Sequence, residues 1–193
     1  MDVDRSGKVR WTANELGYDI EEVRIKLGEV GTDPYLQLNP YAQVPAVELE
    51  GKTLIESTAI CLMLAERHPE AALIPADRDQ RDVFWQSINV STVSLERPVA
   101  MYYLAKIGIT DAAWAELSVA PLNKRLPVYA DSVPDKGYIC GEFSIADICA
   151  AYVLRIGVQA KLIPFEGKLE NYLQRLMNRP AAQAARFFDS FQN

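Results

Sequence analysis

Two neighbouring stretches of the chain decide its fold. Residues 39–46 read NPYAQVPA and residues 54–60 read LIESTAI. Short apolar-rich runs lie on either side of Glu50-Gly51, a dipeptide suited to a tight turn, so the pattern predicts a β-hairpin. The run that follows, 58–67, is apolar almost all round and predicts a helix buried between a sheet and a second layer.

The segments before this hairpin predict a small mixed α/β domain. Apolar residues recur at helical spacing over 9–16, and Gly17 then supplies a residue that commonly ends a helix. Residues 21–26 alternate between polar and apolar side chains, which predicts a half-buried strand. A short amphipathic stretch over 35–38 ends at an Asn-Pro turn signal.

Beyond the hairpin and its helix, the sequence predicts helices only. Residues 68–79 contain two prolines and many polar or small residues, and we interpret them as an interdomain linker. Long helical segments follow over 82–106 and 112–131, each interrupted by proline. We therefore expect two domains: a mixed α/β domain over residues 1–69 and an all-helical domain over residues 80–193.

A helix-initiating motif marks the clearest helix of the second domain. Ser144 can cap the first amides, and Asp147 can reach back as the acidic partner of a capping box. Phe143 can pack onto Ile148 as a hydrophobic staple. We interpret this motif as structural, because a cap stabilises a helix without any ligand.

Composition and charge exclude several classes of function. The chain has 193 residues, a net charge of -6 and a pI near 4.9. Its field therefore repels the phosphate backbone of nucleic acids and anionic lipids. No apolar run approaches the ~18 residues of a transmembrane helix, and the first residues lack the apolar segment of a secretory signal. We expect a cytoplasmic protein that binds neither nucleic acid nor membrane.

Neither cysteine nor histidine chemistry is favoured. The three cysteines, Cys61, Cys140 and Cys149, form no CxxC pair, so we expect packed, reduced thiols and no metal site. His68 is the only histidine, and Pro69 follows it. Because proline stops a helix, we interpret His68 as an exposed helix end and not as a catalytic base.

The hairpin motif belongs to a longer ordered set. KVRW at 8–11, ELG at 15–17, the two stretches quoted above and GEFSIAD at 141–147 follow one another along nearly the whole chain. In this order they resemble the cytosolic glutathione S-transferase family. The resemblance implies a thioredoxin-like first domain, an α-helical second domain, glutathione as co-substrate and a homodimer.

The resemblance also implies a set of glutathione-binding residues. Val44-Pro45 would carry a cis peptide bond, which frees the main chain of Val44 to pair with the cysteinyl backbone of glutathione. Glu56 would meet the ligand's ammonium group, and Ser57 would hold its γ-glutamyl carboxylate together with the helix amides. Gln43 stands where family members often reach the glycyl carboxylate. Without the resemblance, Glu56-Ser57 is an ordinary helix cap and Gln43 an exposed loop side chain.

The chain departs from the family pattern at its start. Family members begin with an apolar strand and a loop whose serine, tyrosine or cysteine faces the glutathione sulfur, whereas residues 1–6 have no strand pattern. Either that strand lies upstream of this sequence or the domain lacks it. The usual catalytic position falls near Val3 or Asp4, neither of which suits a thiolate. Ser6 is the nearest hydroxyl, either as a catalytic donor to the sulfur or, as we favour, as the cap of the first helix.

Two functions therefore stay open. The first is an enzyme that conjugates or otherwise processes small electrophiles with glutathione, in an apolar pocket whose candidate lining is Trp85, Met101, Tyr102 and Tyr103. The second is a noncatalytic glutathione-binding or assembly module on the same fold. A cysteine-based transferase is disfavoured, because no cysteine precedes Cys61.

Overall fold

The computed structural model describes residues 5–191. The first part contains α1 (Ser6–Glu15), α2 (Asp33–Leu38), β1 (Ala46–Leu49), β2 (Lys52–Ile55) and α3 (Ser57–Arg67). The second part contains α4 (Arg78–Asn89), α5 (Glu96–Lys106), α6 (Ala113–Ser132), α7 (Ile145–Gln159), α8 (Gly167–Met177) and α9 (Pro180–Ala184). Short 3-10 turns occur at Leu27–Glu29, Pro69–Ala71 and Asp189–Phe191. Along 5–191, no helix has the length and apolar character needed to cross a membrane.

The predicted hairpin and its following helix are confirmed. Strands β1 and β2 pair antiparallel, with Leu49 opposite Lys52 at the closed end. Glu50 and Gly51 form the turn with φ values of 52° and 73°. Two positive φ angles are what a tight hairpin turn of matching twist requires, and glycine adopts them at little cost. Helix α3 then begins directly after β2.

The strand predicted over residues 21–26 does not form. This segment has no regular structure, and β1 and β2 are the only paired strands among the described residues. Val23 is 72% exposed, whereas Ile25 is half-buried. An alternating pattern becomes a strand only when a neighbouring strand satisfies its backbone N–H and C=O groups, and none lies beside this segment in residues 5–191.

The long helical segment that follows the linker is irregular at a different place from the one predicted. Helices α4 and α5 are joined without a break by a π-helical segment, Val90–Leu95, so the irregularity precedes Pro98. Pro98 itself is the third residue of α5, directly after the π-helical segment, and α5 continues past it to Lys106. Pro121 and Pro127 lie inside α6, which continues past both.

The core joins the two parts of the chain. Helix α7 is buried along almost its entire length and contacts α1, α4 and α5. Trp11 of α1 is fully buried, with ring centroids 5.7, 4.8 and 5.8 Å from three phenylalanines of the helical part, Phe143, Phe187 and Phe188. Helix α1 is therefore held by α3 on one side and by the helical bundle on the other.

The predicted capping box at the start of α7 is confirmed. The buried Asp147 carboxylate accepts hydrogen bonds from the Ser144 N–H (3.0 Å), the Ile139 N–H (3.0 Å) and the Tyr172 hydroxyl (2.7 Å). Burial raises the pKa of the Asp147 carboxyl, and these donors partly oppose that rise. The motif anchors α7 to α8 and to the loop that precedes it.

Candidate functional site

The hairpin register assembles the site predicted from sequence. Ala46 pairs with Ile55, so the residue before β1, Pro45, and the residue after β2, Glu56, lie at the same open end of the hairpin. The two motifs quoted from the sequence therefore meet in space: 43–45 on one side and Glu56-Ser57 on the other. All five predicted glutathione-binding residues belong to these two short segments.

The loop before β1 is shaped by hydrogen bonds to one carbonyl. The Tyr35 hydroxyl (2.7 Å) and the Asn39 side-chain amide (2.6 Å) both donate to the carbonyl oxygen of Gln43. The Gln43 side chain is exposed, and Val44 and Pro45 are half-buried. The peptide bond between Val44 and Pro45 is cis, as the resemblance implied. The loop thus presents its backbone at the open end of the hairpin.

The other side of the site is the start of α3. Glu56 occupies the N-cap position with φ 66° and ψ 103°, and its side chain does not cap the helix. A side chain larger than glycine pays a conformational cost in this region of φ, and such residues cluster at functional sites. Ser57 follows as the first helical residue and is only 3% exposed. Because the Glu56 side chain does not cap α3, the first backbone amides of this helix can donate hydrogen bonds to a carboxylate.

Helix α1 joins the site through its first turn. The Lys8 ammonium donates to the Thr58 hydroxyl at 3.3 Å, which links the first turns of α1 and α3. Ser6 is the first residue of α1, and Arg5 is the N-cap residue. Ser6 therefore lies inside the first turn and not ahead of it, so the capping position predicted for it is wrong by one residue. Val3 and Asp4, near the family's usual catalytic position, lie outside the described residues.

A buried charge cluster supports this junction. Glu96, the first residue of α5, accepts hydrogen bonds from Lys8 at 2.6 Å and from Arg5. The Lys8 side chain is fully buried, and its ammonium also lies 5.0 Å from the centre of the Tyr152 ring. A buried ammonium is tolerated only when it is paired and hydrogen-bonded. The helical part of the chain thereby fixes the start of α1 beside the start of α3.

Sequence comparison decides the family. The sequence model described as glutathione S-transferase, N-terminal domain, matches residues 5–72. Glutathione S-transferase GstA of Escherichia coli O157:H7 is 30% identical over 182 residues, covering 90% of this chain and 89% of that protein. This chain belongs to the cytosolic glutathione S-transferase family.

Other relatives and solved structures agree on the fold of this transferase. Probable maleylacetoacetate isomerase 2 of Drosophila melanogaster is 28% identical over 149 residues; these cover 75% of this chain but just under two thirds, 66%, of that protein. A ternary complex of BphK, a bacterial transferase, superposes with a TM-score of 0.81 at 25% identity, covering 99% of this chain and 96% of BphK. Gtt2 of Saccharomyces cerevisiae superposes with a TM-score of 0.82 at 22% identity, covering 96% and 97%. The predicted fold, a thioredoxin-like first domain followed by a helical domain, is confirmed.

The thiols of the transferase are structural. Cys61, Cys140 and Cys149 are buried and unpaired. Burial, followed by the neighbouring Cys149, raises the pKa of the Cys61 thiol to about 12, and burial also raises the pKa of Cys140 and of Cys149. A thiol becomes a nucleophile through its thiolate, so none of the three is suited to attack. In residues 5–191, no three His, Cys, Asp or Glu side chains converge as possible metal ligands.

The four residues named as candidate lining of an electrophile pocket are Trp85, Met101, Tyr102 and Tyr103. Trp85 is 41% exposed and packs edge-on against Phe84, and Tyr102 and Tyr103 pack against the core. A groove of about 460 Å³ lies between the π-helical segment and α6. Trp85, Met101, Tyr102 and Tyr103 are all absent from its lining, whose apolar members are Val90, Leu95, Val128 and Tyr129.

Four residues of the site were missed by sequence reasoning. Lys8 and Glu96 form an ion pair across 88 positions of the chain, which no local pattern reveals. The sequence pattern indicates Tyr35 only as part of an amphipathic stretch and Asn39 only as a turn signal. The Asn-Pro pair was the one usable signal, since asparagine side chains often bond to the backbone of the turn that they start.

Proposed function

We propose that this chain is a glutathione-dependent transferase or isomerase for small electrophiles, with glutathione held between loop 43–45 and the start of α3. The observation that carries the proposal is the hairpin register, which pairs Ala46 with Ile55 and so brings Val44-Pro45 beside Glu56-Ser57. The names of the relatives, transferases and maleylacetoacetate isomerases, support a glutathione-dependent reaction of one of these two kinds.

Each part of the tripeptide has a chemically suitable partner in this arrangement. The γ-glutamyl carboxylate binds the Ser57 hydroxyl and the first amides of α3, where the helix dipole is positive. The γ-glutamyl ammonium pairs with Glu56, whose carboxylate is exposed. The cysteinyl backbone pairs with the main chain of Val44, next to Pro45, and the glycyl carboxylate lies within reach of the exposed Gln43 amide.

The sulfur end of the ligand then lies toward the first turn of α1. A hydroxyl that donates to the sulfur stabilises the thiolate, which is the reactive form. Ser6 is our candidate for this role, because it belongs to the first turn of α1 and Lys8 ties that turn to α3. The alternative is a noncatalytic module that binds glutathione without turning over an electrophile, and the experiment below separates the two.

The proposal is tested by calorimetric titration of glutathione into the wild-type chain and three variants. Ser57→Ala and Glu56→Ala each remove a hydrogen-bonding partner of a charged ligand group, so the dissociation constant is expected to rise about ten- to hundredfold. Ser6→Ala is expected to leave binding unchanged and to lower turnover of a generic electrophile. Ser118→Ala, which changes a buried serine of α6, is the matched control and is expected to match the wild type.

Three outcomes have distinct meanings. No binding by the wild-type chain at millimolar glutathione would contradict the proposed function. Binding that Ser57→Ala and Glu56→Ala leave intact would contradict the proposed site. Binding at the proposed site with no turnover of any electrophile would favour the noncatalytic module, and turnover unaffected by Ser6→Ala would remove Ser6 from catalysis.

We also propose a cytoplasmic homodimer. The family implies it, and the groove between the π-helical segment and α6 supports it, because Val90 and Val128, which both line this groove, are 38% and 70% exposed. Large exposed apolar side chains that share one face are typical of a surface covered in an assembly. Sedimentation equilibrium at micromolar concentration should report twice the chain mass of 21.6 kDa, and a single species of 21.6 kDa would contradict the dimer.

A further inference from the structure

Two buried side chains converge on the carbonyl of Gln43. Tyr35 and Asn39 are 6% and 2% exposed, so each has given up water to donate a hydrogen bond to this one oxygen. Burial raises the pKa of the Tyr35 phenol, which keeps the hydroxyl protonated and able to donate. A buried polar group is costly unless it is bonded, so both interactions constrain the loop.

The orientation of this carbonyl fixes the orientation of the next amide. The bond between Gln43 and Val44 is trans, and a trans peptide unit is a rigid plane in which the C=O and the N–H point in opposite directions. Because Tyr35 and Asn39 hold the Gln43 oxygen on the α2 side, the Val44 N–H is directed away from α2. Within residues 5–191, no backbone or side-chain acceptor pairs with that N–H.

The two anchors have separable roles. Asn39 organises the turn around itself: its side-chain oxygen accepts from the Tyr41 N–H at 3.0 Å, and its carbonyl accepts from the Ala42 N–H at 3.0 Å. Tyr35 contacts the loop through its hydroxyl bond to the Gln43 carbonyl, and it lies in α2, outside the turn. Tyr35 can therefore be changed without removing the bonds that shape the turn itself.

We propose that Tyr35 is a positioning residue for glutathione: its hydroxyl, acting with Asn39 through the Gln43–Val44 peptide unit, aims the Val44 N–H at the cysteinyl carbonyl of the ligand. This inference rests on the proposed function, since it assigns a support to the same binding site. The hydroxyl touches no part of glutathione. Because the Tyr35 hydroxyl keeps the Val44 amide oriented before glutathione binds, no binding free energy is lost in orienting that amide.

Tyr35→Phe isolates the hydroxyl, because the ring and its packing are kept. Loss of one neutral hydrogen bond is expected to raise the glutathione dissociation constant about three- to tenfold in calorimetric titration. Tyr41→Phe is the matched control, since it removes the hydroxyl of a tyrosine from the same loop whose side chain is 71% exposed. Its dissociation constant is expected to equal that of the wild type.

A second readout separates positioning from a general loss of structure. In a ¹⁵N-labelled protein titrated with glutathione, the Val44 amide proton of the wild type is expected to shift downfield as it gains an acceptor. In Tyr35→Phe at saturating glutathione this shift is expected to shrink, while the shift of the Ser57 amide stays as in the wild type. A general loosening would reduce both shifts together.

The results that would overturn the inference differ from those that would overturn the proposed function. A wild-type chain that does not bind glutathione removes both. A wild-type chain that binds, together with a Tyr35→Phe variant whose affinity and Val44 shift are unchanged, removes only the role of Tyr35. Equal losses in Tyr35→Phe and Tyr41→Phe would also contradict it, because the buried hydroxyl would then have no special effect.

Discussion

Helices α7 and α3 of this transferase both begin at residues typical of a helix cap, but their first turns differ in whether a side chain caps them. At the start of α7, Ser144 and Asp147 form a capping box whose carboxylate accepts from two backbone amides and from Tyr172. At the start of α3, Glu56 is the N-cap residue, yet its side chain makes no capping bond and its φ angle is 66°. We call the start of α7 the closed end, because side chains of the protein cap it, and the start of α3 the open end, because no side chain caps it.

We interpret this difference as one between a structural helix end and a proposed ligand-binding helix end, because Glu56 combines a missing side-chain cap with a positive φ. A capped end satisfies its orphan amides internally, so its motif contributes stability and needs no ligand. An uncapped end beside a strained residue lacks this stabilisation. Its first backbone amides are then able to donate to the carboxylate of a ligand. The comparison therefore predicts opposite consequences for substitutions at the two ends: loss of stability at α7, and loss of glutathione binding at α3.

The largest expected effect is at the closed end. Asp147→Ala leaves the Ser144 and Ile139 amides and the Tyr172 hydroxyl without their acceptor in a buried site, so the free energy of unfolding is expected to fall by about 3 kcal/mol. The glutathione affinity of the folded variant should stay as in the wild type. Urea unfolding followed by tryptophan fluorescence measures the first quantity and calorimetry the second. Asp135→Ala, at an exposed position, is the control.

The same residue gives a signed pH dependence. Burial raises the pKa of Asp147 above its ordinary value of 3.8, so ionisation is harder in the folded than in the unfolded chain. The stabilisation of the fold by the Asp147 side chain is therefore fully present when the pH is below 3.8. It is lost as the pH rises through the pKa that Asp147 has in the folded chain. The unfolding free energy of the wild type minus that of Asp147→Asn should fall as pH rises above about 4. A difference that grows with pH would contradict the cause given for the shift.

A smaller effect, of opposite sign, is expected at the open end. Glu56→Gly relieves a φ angle that costs a non-glycine residue roughly 1 to 3 kcal/mol, and part of this is offset by the greater chain entropy of glycine. The unfolding free energy should rise by about 1 kcal/mol while glutathione binding weakens about tenfold. Glu50→Gly is the matched control, because Glu50 also has a positive φ, 52°, but lies in the hairpin turn. A Glu56→Gly variant that binds glutathione like the wild type would break the comparison.

Features set by short stretches of sequence were predictable, and features set by distant partners were not. Residues close together in the chain determine the capping box and the hairpin turn. They also determine the position of loop 43–45 beside Glu56-Ser57. The strand expected over 21–26 failed because its formation depends on a neighbouring strand, which local alternation cannot report. The burial of Lys8 beside Glu96 was invisible for the same reason, since a charged residue is ordinarily assigned to the surface.

A crystal structure of the chain with glutathione tests the central claim most directly. We predict the tripeptide at the open end of the hairpin, with its cysteinyl carbonyl accepting from the Val44 N–H and its γ-glutamyl carboxylate on Ser57 and the first amides of α3. Fully occupied glutathione elsewhere, for instance in the groove between the π-helical segment and α6, with loop 43–45 and the start of α3 left vacant, would contradict it.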